Sequence, residues 1–123
     1  MDSHRINSLP NSENAIIEDS KLKEYALNPE SDAGRHKARV FQSALGFNLT
    51  NWQLLKQSIL ENLPHQAAQV KGETAFGKKY TVELHLTGPN RNTVPVLTVW
   101  QFDRQPDGTL SDMPRLVTLY VTD

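Results

Sequence analysis

The sequence predicts an α+β fold in which about three N-terminal helices pack on one face of an antiparallel meander sheet of three or four strands. Two observations support this class. Apolar residues recur at helical spacing in the first half of the chain, and from residue 80 onward they alternate with polar residues as in half-buried strands. A chain of 123 residues is long enough for one core. We therefore predict a flexible polar arm at residues 1–10 and a single domain at residues 11–123.

Three segments carry helical patterns. The first is short and ends before Pro29, because the residue preceding a proline is displaced from helical geometry. The second covers residues 33–45 and ends at Gly46, a typical position for a left-handed residue. Its predicted apolar face comprises Ala33, Lys37, Val40, Phe41, Ala44 and Leu45. The apolar stripes of the first and third helices comprise Leu22, Tyr25 and Ala26, and Trp52, Leu55, Ile59 and Leu63.

The second half of the chain predicts strands joined by turns. Residues 80–86 alternate between apolar and polar side chains, as expected of a strand with one buried face. Residues 94–102 are apolar on both faces, which indicates a central strand. The last strand covers residues 115–121, and a short strand around residues 69–71 is a weaker prediction. Gly, Pro and Asn between these segments are typical turn residues.

Composition narrows the class of protein. The chain has no cysteine, which excludes disulfides, a thiolate nucleophile and sulfur-ligated metal. No apolar run reaches the roughly 20 residues that span a bilayer, so we expect a cytoplasmic protein with no membrane partner. The net charge is -1, yet residues 33–91 carry eight Lys/Arg against three Asp/Glu. This basic segment favours an anionic ligand, although scattered solvated charges are the commoner explanation.

The basic residues concentrate at the start of the second helix, in Arg35, Lys37 and Arg39. Helix N-termini present free backbone amides and favour anions, and cations placed there work against the helix dipole. A phosphate site would explain the arrangement, and Lys37 is of particular interest because it lies on the apolar stripe. The alternative is that these charges pair with acidic neighbours such as Glu30 and Asp32.

The last strand supplies a second set of candidates. Simple alternation places Thr118 and Tyr120 on one face and Arg115 on the other. Thr98 and Trp100 alternate similarly on the neighbouring strand, which would give an open face with hydroxyls and aromatic rings. Threonine and tyrosine are favoured in strands regardless of function, so their presence alone is weak support.

Histidine offers candidates for proton transfer. His36 is next to Lys37, and His85 lies on a predicted strand, so either side chain is a possible general acid or base. Each is equally compatible with an ordinary surface position. No two histidines have the spacing of a helical zinc site, and we predict no metal site.

Five short motifs occur along the chain: N-x-E-N-A, Y-x-L-N-P, G-x-x-K-A-x-x-F, T-V-W and P-R-L-V-T-x-Y. They lie at residues 11–15, 25–29, 34–41, 98–100 and 114–120. Through these motifs the chain resembles an uncharacterised bacterial family of toxin-like domains. The resemblance implies a small domain paired with a cognate antitoxin or immunity-like protein.

The order of helices followed by sheet is also similar to that of the barnase, EndoU, colicin and RelE-like ribonucleases. This likeness implies metal-independent cleavage of RNA, with no cofactor, in which Lys37 and Arg115 stabilise the phosphate, Thr118 positions it and His36 carries a proton. From the basic helix start, the strand faces and the histidines considered above, we also predict Arg35, Arg39, His85, Thr98 and Tyr120 as substrate-binding residues. The alternative is a non-catalytic interaction module that binds a protein partner or self-associates.

Overall fold

The computed structural model describes residues 7–122 and contains helical and sheet segments in the predicted order. Helix α1 covers Asp19–Lys21 and continues as a π-helical turn over Leu22–Ala26. Helices α2 and α3 cover Arg35–Leu45 and Trp52–Asn62. The strands are β1 (Ala68–Thr74), β2 (Gly77–Thr87), β3 (Thr93–Asp103) and β4 (Arg115–Val121).

The four strands form one antiparallel sheet in the order β1-β2-β3-β4. The α+β class and the meander are thereby confirmed. The weakly predicted strand is β1, which extends well beyond residues 69–71 and lies at one edge of the sheet, while β4 lies at the other.

The core contains residues from all three helices and strand residues that share one face of the sheet. Its members from the helical half include Leu22, Ala26, Phe41, Leu45, Leu55 and Ile59. Its members from the strands are Val82, Leu84, Leu86, Val96, Trp100, Phe102, Leu116 and Leu119. Burial of these side chains is the main favourable contribution to folding, since each fully buried Leu or Phe contributes about 1.5–3 kcal/mol.

Thr98 also lies on this core-facing side, so the prediction that it contributes to an open polar face is wrong. The side chains of Thr98 and Trp100 are fully buried. The Thr98 hydroxyl donates to the Val82 carbonyl at 2.7 Å and accepts from the Trp100 indole N–H at 2.8 Å. Burial of the indole N–H requires an acceptor, and Thr98 supplies it. The T-V-W pattern is thus explained by the core.

The predicted flexible arm includes residues that are packed. Residues 1–6 lie outside the described part of the chain. Leu9, however, is buried in the core, and the carbonyl of Asn7 accepts a hydrogen bond of 2.8 Å from the backbone N–H of Ala68. Two residues within the predicted arm, Asn7 and Leu9, therefore contact the rest of the domain. The segment is mostly polar, so its composition did not predict that Leu9 would be buried in the core.

A β-bulge in β4 changes which side chains share a face. Val99 pairs with Thr118, but the adjacent Trp100 pairs with Leu116, so one residue of β4 is extra at this point. Directly opposed residues share a face, and the register therefore places Arg115, Thr118 and Tyr120 together on the face opposite the core. Simple alternation had separated Arg115 from Thr118, and that prediction is wrong because of the bulge.

Candidate functional site

The ammonium group of Lys37 lies at the edge of β4 among groups from three separate segments. Its Nζ donates hydrogen bonds of 3.2 Å to the Thr118 hydroxyl and 3.2 Å to the Leu119 carbonyl. The same atom lies 5.5 Å from the ring centroid of Tyr25 and 4.9 Å from that of Tyr120. These distances are within the range of cation–π attraction. We call Tyr25, Lys37, Thr118 and Tyr120 the Lys37 cluster.

A glycine at the start of α2 allows this cluster to form. Gly34 precedes the helix, and a Cβ at that position would overlap the backbone carbonyl of Tyr25. The backbone N–H of Gly34 donates to the Ser31 hydroxyl at 3.0 Å, which fixes the turn before the helix. Because no side chain intervenes, the first turn of α2 packs directly against the turn that carries Tyr25. Lys37, in the first turn of the helix, is thereby brought beside Tyr25.

The charge of Lys37 has no carboxylate partner within 4.0 Å among residues 7–122. Its effect appears instead on Tyr25. Burial raises the pKa of the Tyr25 phenol, but hydrogen bonding with Thr118 and Lys37 and the charges of Lys37 and Lys21 together lower that pKa below its ordinary value of 10.0. The cluster therefore combines a cation with a phenol that ionises more readily than usual.

Lys37 also has a structural role, because it satisfies a carbonyl on the free edge of a strand. Near the start of β4 this edge is covered by Ile16, whose backbone exchanges hydrogen bonds with Pro114 and Leu116 at 2.8 and 2.9 Å. Farther along, the Leu119 carbonyl accepts from Lys37. A charged group held over a strand edge also discourages that edge from pairing with a second sheet.

Arg115 shares the sheet face with Thr118, but its guanidinium is held by a carboxylate. Its Nε and Nη2 donate to the two carboxylate oxygens of Asp103 at 2.9 Å each, and Gln101 donates to the same carboxylate at 2.7 Å. The hydrogen bonds from Arg115 hold the pKa of Asp103 below its ordinary value, and Asp103 in turn raises the pKa of Arg115. The charge of Arg115 is therefore largely neutralised.

The other basic residues of α2 point away from Lys37. A helix turns about 100° per residue, so Arg35 and Arg39 share one side while Lys37 lies roughly opposite. Arg35 and Arg39 line a groove beside Leu49, on the far flank of the helix from the Lys37 cluster. His36 is exposed between the two flanks, and its imidazole makes no hydrogen bond to another side chain or backbone group among residues 7–122. The run of basic residues thus covers three sides of the helix.

His85 lies on the Tyr120 face of the sheet, but at a distance. It is exposed beside Glu83, with Nε2 and Oε1 4.0 Å apart, in a shallow groove with Thr81 and Leu97. Leu97 pairs with Glu83 on one side and with Tyr120 on the other. Strands are about 4.8 Å apart, so β2, the strand that carries His85, lies about 10 Å from β4 across β3. His85 does not belong to the Lys37 cluster.

Within residues 7–122, no group of three or more His, Asp or Glu side chains is arranged to hold a metal ion. None of the helices in this range has the length and hydrophobicity needed to cross a bilayer.

The fold and the cluster define a small α+β domain that carries, at one sheet edge, a lysine with no carboxylate within 4.0 Å among residues 7–122. The chain belongs to a family described as a domain of unknown function, DUF6883, which matches residues 8–123. Membership of an uncharacterised family is thereby confirmed. No curated protein sequence and no solved structure matches the chain.

Tyr25 is the member of the cluster that the sequence reasoning did not select. Its place on the stripe of the first helix predicted a core residue, and it is only half-buried. The Y-x-L-N-P pattern was a signal that this residue matters, but nothing local indicates a role. Its chemistry depends on Lys37 and Thr118, which are 12 and 93 positions away in the sequence.

Proposed function

We propose that this domain cleaves RNA without a metal ion and that the Lys37 cluster is its active site. The observation that carries the proposal is the juxtaposition of an ammonium group that lacks a carboxylate partner in the described chain with a phenol of lowered pKa. A phosphodiester needs a cation where charge develops and a base near its 2′-hydroxyl, and the cluster offers both. This activity would be exercised in the cytoplasm, where RNA is available.

The reaction follows from these groups. In its ionised form, which the lowered pKa favours, Tyr25 takes the proton of the 2′-hydroxyl, and the 2′-oxygen attacks phosphorus to form a new P–O bond. The ammonium of Lys37 stabilises the charge on the phosphate oxygens, while the Thr118 hydroxyl orients one of them. The bond to the 5′-oxygen breaks, and that oxygen takes a proton from Lys37. Proton return from Tyr25 to Lys37 restores both groups, leaving a 2′,3′-cyclic phosphate and a 5′-hydroxyl.

This assignment changes the proton carrier that the ribonuclease likeness implied. His36 points outward from α2, whereas Tyr25 lies beside both Lys37 and Thr118. A base must come within hydrogen-bond reach of the proton that it removes while the phosphate contacts the cation. Tyr25 meets this requirement more directly than His36. Arg115 contributes less than Lys37 because Asp103 already binds its guanidinium.

The test is incubation of purified protein with total RNA and with tRNA in the presence of EDTA. We expect discrete cleavage products ending in a 2′,3′-cyclic phosphate. Lys37→Ala and Tyr25→Phe should each lower the rate by about 100-fold or more, the usual effect of losing a general acid or base or a transition-state cation. Lys71→Ala is the matched control, since Lys71 is an exposed lysine on β1.

Circular dichroism would verify that each variant is folded. The proposal fails if the wild-type protein leaves these RNAs intact. If cleavage occurs but survives Lys37→Ala, the enzyme class stands and the site is wrong. Replacing the 2′-hydroxyl at the cut position with hydrogen should abolish cleavage, because the attacking oxygen is then missing.

The second candidate is a non-catalytic module that binds a cognate protein, and the β1 edge favours it. Val70 on this outer strand is 59% exposed, and Phe76 in the β1–β2 turn is 79% exposed. Large apolar side chains in such positions are typical of protein contact surfaces. In the enzyme, an antitoxin-like partner could use the same edge. Co-purification with the product of a neighbouring gene, lost in Phe76→Ser, would support this contact.

A further inference from the structure

A groove runs along the outer flank of α2, on the side away from the Lys37 cluster. Its volume is about 410 Å³, within the range of roughly 300–1,000 Å³ that is usual for ligand sites. It is lined by apolar side chains at its base and polar ones at its rim. The lining includes Leu27, Ala38 and Leu49, with Arg35, Arg39 and Gln42.

Two cations face this groove with little compensation. Arg35 and Arg39 are one helical turn apart, where like charges destabilise a helix. The first turn of α2 contains no acidic residue. Arg35 approaches Asp32 only to 3.8 Å, and both side chains are largely exposed. Arg39 has no carboxylate within 4.0 Å among residues 7–122. An anion held between the two guanidinium groups would offset this repulsion.

The groove also has features that suit a nucleotide rather than a bare anion. Leu27 and Ala38 are nearly buried and form an apolar base, while Leu49 is 40% exposed at its side. A planar ring can lie against such a surface, and the two guanidinium groups at the rim remain for a phosphate.

The helix geometry connects this groove with the proposed active site. Each residue of a helix is rotated by about 100° from the one before it. Around the axis of α2 the side chains therefore come in the order Arg35, Arg39, His36 and Lys37. A strand that crosses the first turn of the helix would pass all four. A helix with its side chains is about 10–12 Å wide, and the groove and the Lys37 cluster lie on opposite sides of α2. The groove would therefore bind a different nucleotide of the RNA from the one whose bond is cleaved.

We propose that this groove binds a nucleotide of single-stranded RNA, with its phosphate on Arg35 and Arg39 and its base against Leu49, at a position beyond the bond cut at the Lys37 cluster. The inference rests on the proposed function and specifies the path of its substrate. It assigns the two arginines to binding, and Lys37 to the reaction.

The test uses a fluorescent oligoribonucleotide whose 2′-oxygens are methylated, so that it binds but cannot be cleaved. Its dissociation constant is measured by fluorescence anisotropy over a range of salt concentrations. Arg35→Gln/Arg39→Gln should raise the dissociation constant about tenfold or more. It should also reduce the slope of log Kd against log salt concentration by about 0.7, since the two arginines hold one phosphate and each phosphate contact on a single strand contributes about 0.7.

The matched control is Lys71→Gln/Arg91→Asn, which removes two charges from exposed positions outside the groove. Asparagine is chosen at Arg91 because its backbone φ of 72° lies in the left-handed region, which asparagine tolerates. This control should bind as the wild type does. Equal weakening in both double variants would indicate charge alone and would overturn the assignment. Unchanged binding in the arginine variant, or no binding by the wild type, would also overturn it.

Cleavage kinetics separate this inference from the proposed function. With a cleavable RNA, Arg35→Gln/Arg39→Gln should raise KM and leave kcat nearly unchanged, because contacts made equally in ground and transition states affect binding only. If Lys37→Ala abolishes cleavage while the arginine variant has a normal KM, the active site stands and the groove does not. If no variant or wild type cleaves RNA, the proposed function fails. Selective loss of oligonucleotide binding in the arginine variant would still support the groove.

Discussion

Replacing Lys37 with methionine removes an ammonium group from the edge of β4 and keeps an unbranched side chain of similar shape. The perturbation leaves the aliphatic contacts of Lys37 with Tyr25 and Tyr120 largely in place. It deletes the hydrogen bonds to Thr118 and Leu119 and the attraction of the charge to the two rings. It therefore measures what the charge contributes to the stability of the fold.

The expected magnitude follows from these contacts. Two partly buried hydrogen bonds of 3.2 Å each contribute about 1 kcal/mol, and each cation–π contact adds about 0.5 kcal/mol. Methionine recovers part of this loss, because it has no ammonium to desolvate and its sulfur packs well against aromatic rings. We expect the free energy of unfolding to fall by about 1–2 kcal/mol.

The measurement is chemical denaturation in urea, comparing the wild type with Lys37→Met and with Lys71→Met as the control on exposed β1. The m-value should be unchanged, so that the shift in midpoint reports stability alone. A Lys37→Met protein as stable as the wild type, or more stable, would refute the reasoning that these contacts stabilise the sheet edge. A loss well above 3 kcal/mol would show that the helix–sheet contact itself depends on the charge.

Two further predictions concern one buried and one ionisable group. Thr98→Val should lower the free energy of unfolding by about 2–4 kcal/mol, because the Trp100 N–H and the Val82 carbonyl both lose a buried partner. Urea denaturation of this variant, with the exposed Thr87→Val as control, measures the loss. A loss below about 1 kcal/mol would contradict the prediction. The pKa of Tyr25 is lowered in the fold, so the unfolded chain binds more protons as pH approaches 10.0, and the stability of wild type relative to Tyr25→Phe should rise with pH there. Denaturation of both proteins between neutral pH and about pH 10 measures this difference, and a difference that is flat or falls with pH would show that the phenol is not stabilised as an anion.

The sequence predicted the order of the elements well because that order depends on local patterns. The spacing of apolar residues predicted α2, and Gly46 was predicted to end it in the left-handed region, where its φ is 84°. The alternation of β2 likewise predicted which of its side chains enter the core. Local steric preferences and the burial of apolar side chains determine where helices and strands form and which face is buried. Both can be predicted from short stretches of sequence.

The candidate site was harder to predict from the sequence because it depends on the register of the strand pairs. A single extra residue in β4 moves Arg115 to the face that carries Thr118, and alternation cannot reveal a bulge in advance. The face of Thr98 was misassigned for a related reason: residues 94–102 are apolar on both sides, so periodicity does not show which side meets the helices. The lowered pKa of Tyr25 likewise requires contacts with distant residues.

The two cations near β4 show why Lys37, and not Arg115, is the better candidate for an anion. The guanidinium of Arg115 donates to both carboxylate oxygens of Asp103, so a phosphate would have to compete with this carboxylate for Arg115. Lys37 is surrounded by a hydroxyl, a carbonyl and two ring faces, which satisfy its hydrogen bonds without cancelling its charge. An edge carbonyl alone could be satisfied by water. The arrangement around Lys37 instead preserves a positive potential beside a phenol, as cleavage of a phosphodiester requires.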